Sequence, residues 1–228
     1  MVTISCVRTD KQLRAFIKFP EKLYKDHPYW VPPLRMDEMN CLKKTAPAFR
    51  HCDAEYFLAY KGDEIVGRVA AIINTVANHD WKENVVRFGW IDFIDDYDVS
   101  KALIEAVVEW GKERGMTYIK GPLGFSDMDK EGLLVEGFEN IPSITCIYNY
   151  PYYADHLERM GFVKDVDWTQ DIMDIPETLS DKLTRFEEVI KERYGYTVMY
   201  PTRNSEYRQR GKEIFDVMKR SFTVLYEY

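Results

Sequence analysis

Basic residues are too few in this chain for it to track a nucleic-acid backbone: 31 Lys and Arg stand against 38 Asp and Glu, for a net charge of -7. That excludes a broad phosphate-binding surface but not a local basic patch, and the expected partner is a small-molecule or amine substrate. Long apolar runs are missing too. Without about 20 consecutive apolar residues no segment reads as a membrane span. The opening MVTISCVRTDKQL lacks the charged-then-apolar layout of a signal peptide, so the expected location is the cytoplasm. Cys6, Cys41, Cys52 and Cys146 show no CxxC spacing, which argues for buried thiols, and no metal site is expected.

What is present is material for a core. Over 228 residues 46% are hydrophobic, enough for one large domain or one domain plus part of another. The clearest stretch runs from Val85 to Gly115: an apolar strand (VVRFGWIDFI), an acidic turn (DDYD) and a helix (VSKALIEAVVEWGKERG). Val99, Ala102, Leu103, Ala106, Val107 and Trp110 form one stripe at helical period. Asp98 is the expected cap, Asp95 and Asp96 suit the positive end of the dipole, and Gly115 supplies a left-handed stop. A strand, a short turn and a helix start make an anion-capturing arrangement, but here carboxylates crowd the spot.

Before that stretch the pattern predicts a strand over Thr3 to Val7, then a helix over Asp10 to Tyr24 capped by Thr9. A proline- and aromatic-rich irregular arm follows over His27 to Arg50, with a short helical stretch near Met36 to Lys44. Glu55 to Tyr60 and Ile65 to Ile73 read as a hairpin turning on Lys61-Gly62-Asp63-Glu64, and Asn74 to Asn84 as a polar connection. After it come a strand over Met116 to Lys120 and a long loop, LGFSDMDKEGLLVEGFENIPS. Then follow a strand over Ile144 to Tyr148, a short helix from Pro151 closed by Gly161, and a strand over Val166 to Met173. Beyond Pro176, Leu179, Leu183, Phe186, Val189 and Ile190 mark a helix, Tyr196 to Tyr200 a strand, and Ser205 to Tyr228 a last helix. Its stripe of Ile214, Phe215, Met218, Phe222, Leu225 and Tyr226 needs a cover: the preceding domain, a homodimer partner or a missing C-terminal half.

This order of elements resembles the GNAT (Gcn5-related N-acetyltransferase) superfamily, most specifically in NYPYYADHLERMGF, Asn149 to Phe162. FPEKLYKDHPYWVPPL, VGRVAAIIN, GPLGFSDMDKEGLLVEGF and YNYPYYADHLERMGF resemble an uncharacterised bacterial GNAT-like family. The resemblance implies an α/β (α+β) fold: a mixed, mostly antiparallel central sheet flanked by helices. It assigns 1-175 to a GNAT-like acyltransferase domain and 176-228 to an extension that begins a second GNAT-like half. The activity it implies is acyl transfer from acetyl-CoA or another acyl-CoA to an amine.

Within it, the Q/R-x-x-G-x-G/A phosphate loop falls on Asp95, Asp98 and Ser100, of which only Ser100 is compatible. A carboxylate about 5 Å from a phosphate charge costs roughly 3 kcal/mol at an effective dielectric of about 20. Where many GNATs place a tyrosine acid this chain has Leu157, with Tyr152 and Tyr153 one turn earlier. The expected site is therefore Glu131, Asp127 and Tyr153 for catalysis, Phe93, Ile94, Ser100 and Asn149 for the cofactor, and Gly121, Tyr148 and Tyr152 for the substrate. Asp129 and His156 are further proton handlers, and Cys146 with His156 is a weaker nucleophile–base pairing. The acidic turn also allows a non-catalytic scaffold that kept the fold, or a Fem-like transferase with an aminoacyl donor.

Overall fold

The computed structural model of the protein describes residues 1–178 and 180–221. Two compact units are present, one over Met1–Val163 and a second from Lys164 onward.

The first unit is built on a sheet that has, among the described residues, five strands in the order β1-β2-β3-β4-β5. These are β1 (Val2–Cys6), β2 (Cys52–Lys61), β3 (Glu64–Asn74), β4 (Val85–Phe93) and β5 (Tyr118–Lys120). Every pairing is antiparallel except β4 with β5, which is parallel. The helices of this unit are α1 (Asp10–Leu23), α2 (Arg35–Leu42), α3 (Thr75–Trp81), α4 (Tyr97–Lys112) and α5 (Tyr152–Arg159). Thr9 caps α1 in a reciprocal box with Gln12, as the Thr-x-x-Gln spacing requires.

Side chains alternate across the sheet and fill two cores. Phe57, Ala59, Val69, Ala71, Val86 and Phe88 meet Val99, Leu103, Val107 and Trp110 of α4 on one face. Tyr56, Leu58, Ala70 and Ile72 meet Leu13, Phe16 and Ile17 of α1 on the other. Gly67 brings α4 close, since a Cβ there would lie 2.8 Å from Leu103 Cδ1.

The structure corrects several expectations. The N-cap of α4 is Asp96, whose carboxylate accepts from Asp98 N–H, because Asp96 keeps extended backbone while Asp98 is already in the first turn. Residues 75–81 of the polar connection form α3, capped by Asn74 through the N–H groups of Val76 and Ala77. Ile144–Tyr148, Val166–Met173 and Tyr196–Tyr200 are not strands, since none finds a partner edge to complete its ladder.

In the second unit, α6 (Asp181–Tyr194) starts at a Ser180 cap and stops at Gly195, whose φ of +64° is left-handed. α7 is Asn204–Ser221. Leu183, Phe186, Ile190, Tyr196 and Val198 line a groove of 330 Å³ there. Leu183, Phe186, Ile214, Phe215 and Met218 are exposed. Leu179, Phe222, Leu225 and Tyr226 lie outside the described residues.

Candidate functional site

The site grows out of a break in strand alternation. Val86 and Phe88 face α4, and simple alternation would send Trp90 there as well. Trp90 instead takes a φ of +45° in a bulge and joins the α1-side core. Opposite it, Arg68 to Ala70 on β3 spans the same ladder as Gly89 to Asp92 on β4. The extra residue reverses parity, so Ile91 and Phe93 take over the α4 face and Asp92 turns toward α1.

The two parallel strands also part. Pairing of β4 with β5 covers only Val85↔Tyr118, Val86↔Ile119 and Arg87↔Lys120. Beyond Gly121, Leu123 N–H donates to the Phe88 carbonyl at 2.8 Å, and Gly89 is required because a Cβ there would sit 2.3 Å from Leu123 O. The chain then turns away, carrying Phe125 against Trp90 and Phe49. The last residues of β4 are thereby left to α5.

Asp92 lies at the centre of a buried polar cluster. Its Oδ2 accepts from Arg68 Nε at 2.8 Å, and Arg68 Nη1 reaches the Phe16 carbonyl at 3.0 Å. Its Oδ1 lies 3.0 Å from the Tyr24 hydroxyl and 3.3 Å from that of Tyr153. The two hydroxyls are themselves 2.9 Å apart. Burial, first, and the Asp92 charge, second, push both phenols well above their ordinary pKa, so they stay protonated donors.

Phe93 is held from the open edge by consecutive tyrosines. Its N–H donates to the Tyr153 hydroxyl at 3.1 Å, and its carbonyl accepts from the Tyr152 hydroxyl at 2.6 Å. Near-parallel rings extend from this point: Tyr153 on Phe93 at 4.2 Å, Tyr152 on Tyr150 at 5.5 Å, Tyr150 on Tyr24 at 5.0 Å and Tyr24 on Trp30 at 5.2 Å. His27 Nε2 lies 3.2 Å from the Tyr148 hydroxyl, which donates to the Phe138 carbonyl at 3.0 Å.

The acidic turn is partly neutralised. Asp96 pairs with Lys61, which holds its carboxyl below the usual range, and Asp95 Oδ1 lies 3.3 Å from His156 Nε2. His156 Nδ1 is 3.0 Å from Ser100 Oγ, making a Ser100–His156–Asp95 chain of contacts that joins α4 to α5. Ser100 is fully buried, so this chain holds helices together and does not present a nucleophile. Ile94 donates its N–H to the Val66 carbonyl on β3.

The loop residues are scattered. Asp127 is exposed, Glu131 half-buried and Gly121 exposed on the β5 exit. Asp129 caps its own turn by accepting from Phe125 and Ser126 N–H, and burial raises its carboxyl pKa. Asn149, buried, clamps Leu134 through both its N–H and its carbonyl. Cys146 Sγ accepts from the Ser143 hydroxyl at 3.4 Å, and the His156 ring is engaged by Ser100 and Asp95. Tyr24, Arg68 and Asp92 are absent from the site predicted from sequence. Two of them do carry a signal: Arg68 and Asp92 are charges at strand positions that the pattern makes buried.

The fold is GNAT-like: a mixed, mostly antiparallel sheet flanked by helices, with the short α5 segment leading to Gly161-Phe162, follows the expected plan, and the bulge in β4 and its parting from β5 add to it. No protein-family model matches the chain. Protein YghO of Escherichia coli (strain K12) is 33% identical over 207 residues, covering 90% of this chain and 53% of that protein. The bacterial ceramide synthase of Caulobacter vibrioides is 32% identical over 185 residues, covering 78% of this chain and 48% of that protein. The chain thus spans about half the length of these curated relatives. Among solved structures, a tandem GNAT protein from the clavulanic acid biosynthesis pathway has a TM-score of 0.46 at 12% identity, covering 71% of this chain and 43% of that one. An aminoglycoside acetyltransferase from an uncultured soil metagenomic sample has a TM-score of 0.44 at 13% identity, covering 77% and 99%. Likenesses at this level carry nothing about activity. No described helix is long and apolar enough to cross a membrane.

Proposed function

We propose that the protein is an N-acyltransferase that moves an acyl group from an acyl-CoA to an amine. The observation that carries this reading is the open edge of β4 at Phe93, where strand backbone turns its N–H and carbonyl away from β3 and toward α5. An extended donor bearing an amide can pair with such an edge through the Phe93 carbonyl, which fixes its thioester for attack, while the Phe93 N–H stays on the Tyr153 hydroxyl. In the reaction the amine nitrogen bonds to the acyl carbon, the carbon–sulfur bond breaks, the amine loses a proton and the thiolate leaves to be protonated.

Phe93 and Ile94 hold the donor's amide arm in this reading. Glu131, on the loop that leaves β5, takes the amine proton, with Asp127 nearer solvent. Gly121 and Tyr148 line the acceptor side, Tyr152 stands at the Phe93 carbonyl between donor and acceptor, and Tyr153 positions Phe93. Ser100 and Asn149 support the turn and the loop from within. The start of α4 does not fit a pyrophosphate as a glycine loop would, because Asp96 already occupies the Asp98 N–H and Asp95 and Asp98 face solvent.

The finer acceptor is a long-chain amino alcohol. The name of the Caulobacter relative supports this, since a ceramide is the N-acyl amide of such a base. The acidic turn favours one second reading, a module that binds through this fold without catalysis.

The test is to incubate the protein with palmitoyl-CoA or acetyl-CoA and a sphingoid base, following free thiol and product mass. Thiol release matched by amide formation is expected, with Glu131→Gln slower by about 10²-fold. Donor binding without any amide would support the module instead.

A further inference from the structure

The two hydroxyls on Phe93 are not equivalent. Tyr153 is buried, its ring lies 4.2 Å from that of Phe93, and its hydroxyl is 2.9 Å from that of Tyr24. It belongs to the core. Tyr152 is half-buried at the first residue of α5, and its hydroxyl satisfies the Phe93 carbonyl at 2.6 Å. A strand carbonyl on an open edge is otherwise available to the N–H of any extended chain that runs along it.

Resting on the acyl-donor reading above, we propose that Tyr152 is a displaceable plug: its hydroxyl occupies the Phe93 carbonyl until an amide N–H of the donor replaces it. The ring then slides toward the Tyr150 face, on which it already stacks at 5.5 Å, leaving Tyr153 and the Phe93 N–H in place. The ligand class follows from the geometry. An extended chain bearing a secondary amide makes this exchange, whereas an ester or a bare hydrocarbon has no N–H to give. Tyr152 therefore weakens donor binding and selects for amide-bearing donors.

Calorimetric titration of wild type, Tyr152→Phe and Tyr153→Phe with CoA and acetyl-CoA tests this. Removing one neutral hydrogen bond from the free state predicts that Tyr152→Phe binds about fivefold tighter. Tyr153→Phe is expected to show no gain. Wild-type binding with unchanged or weaker binding by Tyr152→Phe overturns the plug and leaves the donor reading standing. No binding by any of the proteins overturns both. Nitration of wild-type Tyr152, mapped by peptide mass, gives a check without mutation. It is expected to rise on adding CoA, and a fall contradicts displacement.

Discussion

Asp92 and the aspartates a few residues later stand at one end of the same strand, in opposite surroundings. The Asp92 side chain is 11% exposed and is met by Arg68 from β3, Tyr24 from the end of α1 and Tyr153 from α5. Asp95 is 69% exposed and its side chain meets one histidine nitrogen, His156 Nε2. A carboxylate is held inside when several elements converge on it with hydrogen-bond donors, and it faces water when it follows the strand's end. The first kind fixes where strand and helices meet. The second tunes a helix start by tenths of a kcal/mol to about 1 kcal/mol.

The contrast is sharpest at Arg68. Its removal in Arg68→Ala leaves Asp92 buried and uncompensated, with an expected loss of about 3–5 kcal/mol in denaturant unfolding. A loss below about 1 kcal/mol would mean that the inside carboxylate is no more structural than the turn acids. Tyr153→Phe leaves the Phe93 N–H without its acceptor, for about 1–3 kcal/mol by the same measurement, together with faster amide exchange at Phe93. Ser100→Ala removes the buried hydroxyl facing His156 and is expected to cost about 1 kcal/mol, read as a lower thermal midpoint.

The smallest effect belongs to Lys61→Ala, below about 1 kcal/mol near neutral pH because the pair is partly exposed. Its sign with pH is set by Asp96. Lys61 lowers the folded carboxyl pKa, so the pairing stabilises the protein above the ordinary carboxylate pKa of about 3.9 and fades as pH falls through the folded value. Wild type and variant should therefore converge in acid. A difference that grows toward low pH would contradict the pairing.

Elements whose identity rests on local pattern were legible in the sequence. The Thr9 cap, the Lys61 to Glu64 hairpin and the α4 stripe all follow from residues within a few positions of one another. α3 was not, because its apolar content is small and its start depends on the Asn74 cap. The strands expected over Ile144–Tyr148 and Val166–Met173 failed for a different reason: an apolar run becomes a strand only where an edge is free to pair with it. The polar cluster was out of reach, since Tyr24 and Asp92 are 68 residues apart and Tyr24 and Tyr153 are 129 apart. The bulge at Trp90 was equally hidden, and without it Asp92 would be assigned to the wrong face.

The central claim is that the open edge of β4 at Phe93 receives the acyl donor. The most direct measurement is the ¹⁵N–¹H resonance of Phe93 during titration with acetyl-CoA. The account predicts a saturable shift at Phe93 and Ile94, reproduced by an amide-bearing CoA fragment that competes with acetyl-CoA. Saturable binding with both resonances unmoved, and shifts confined to other surfaces, would contradict it.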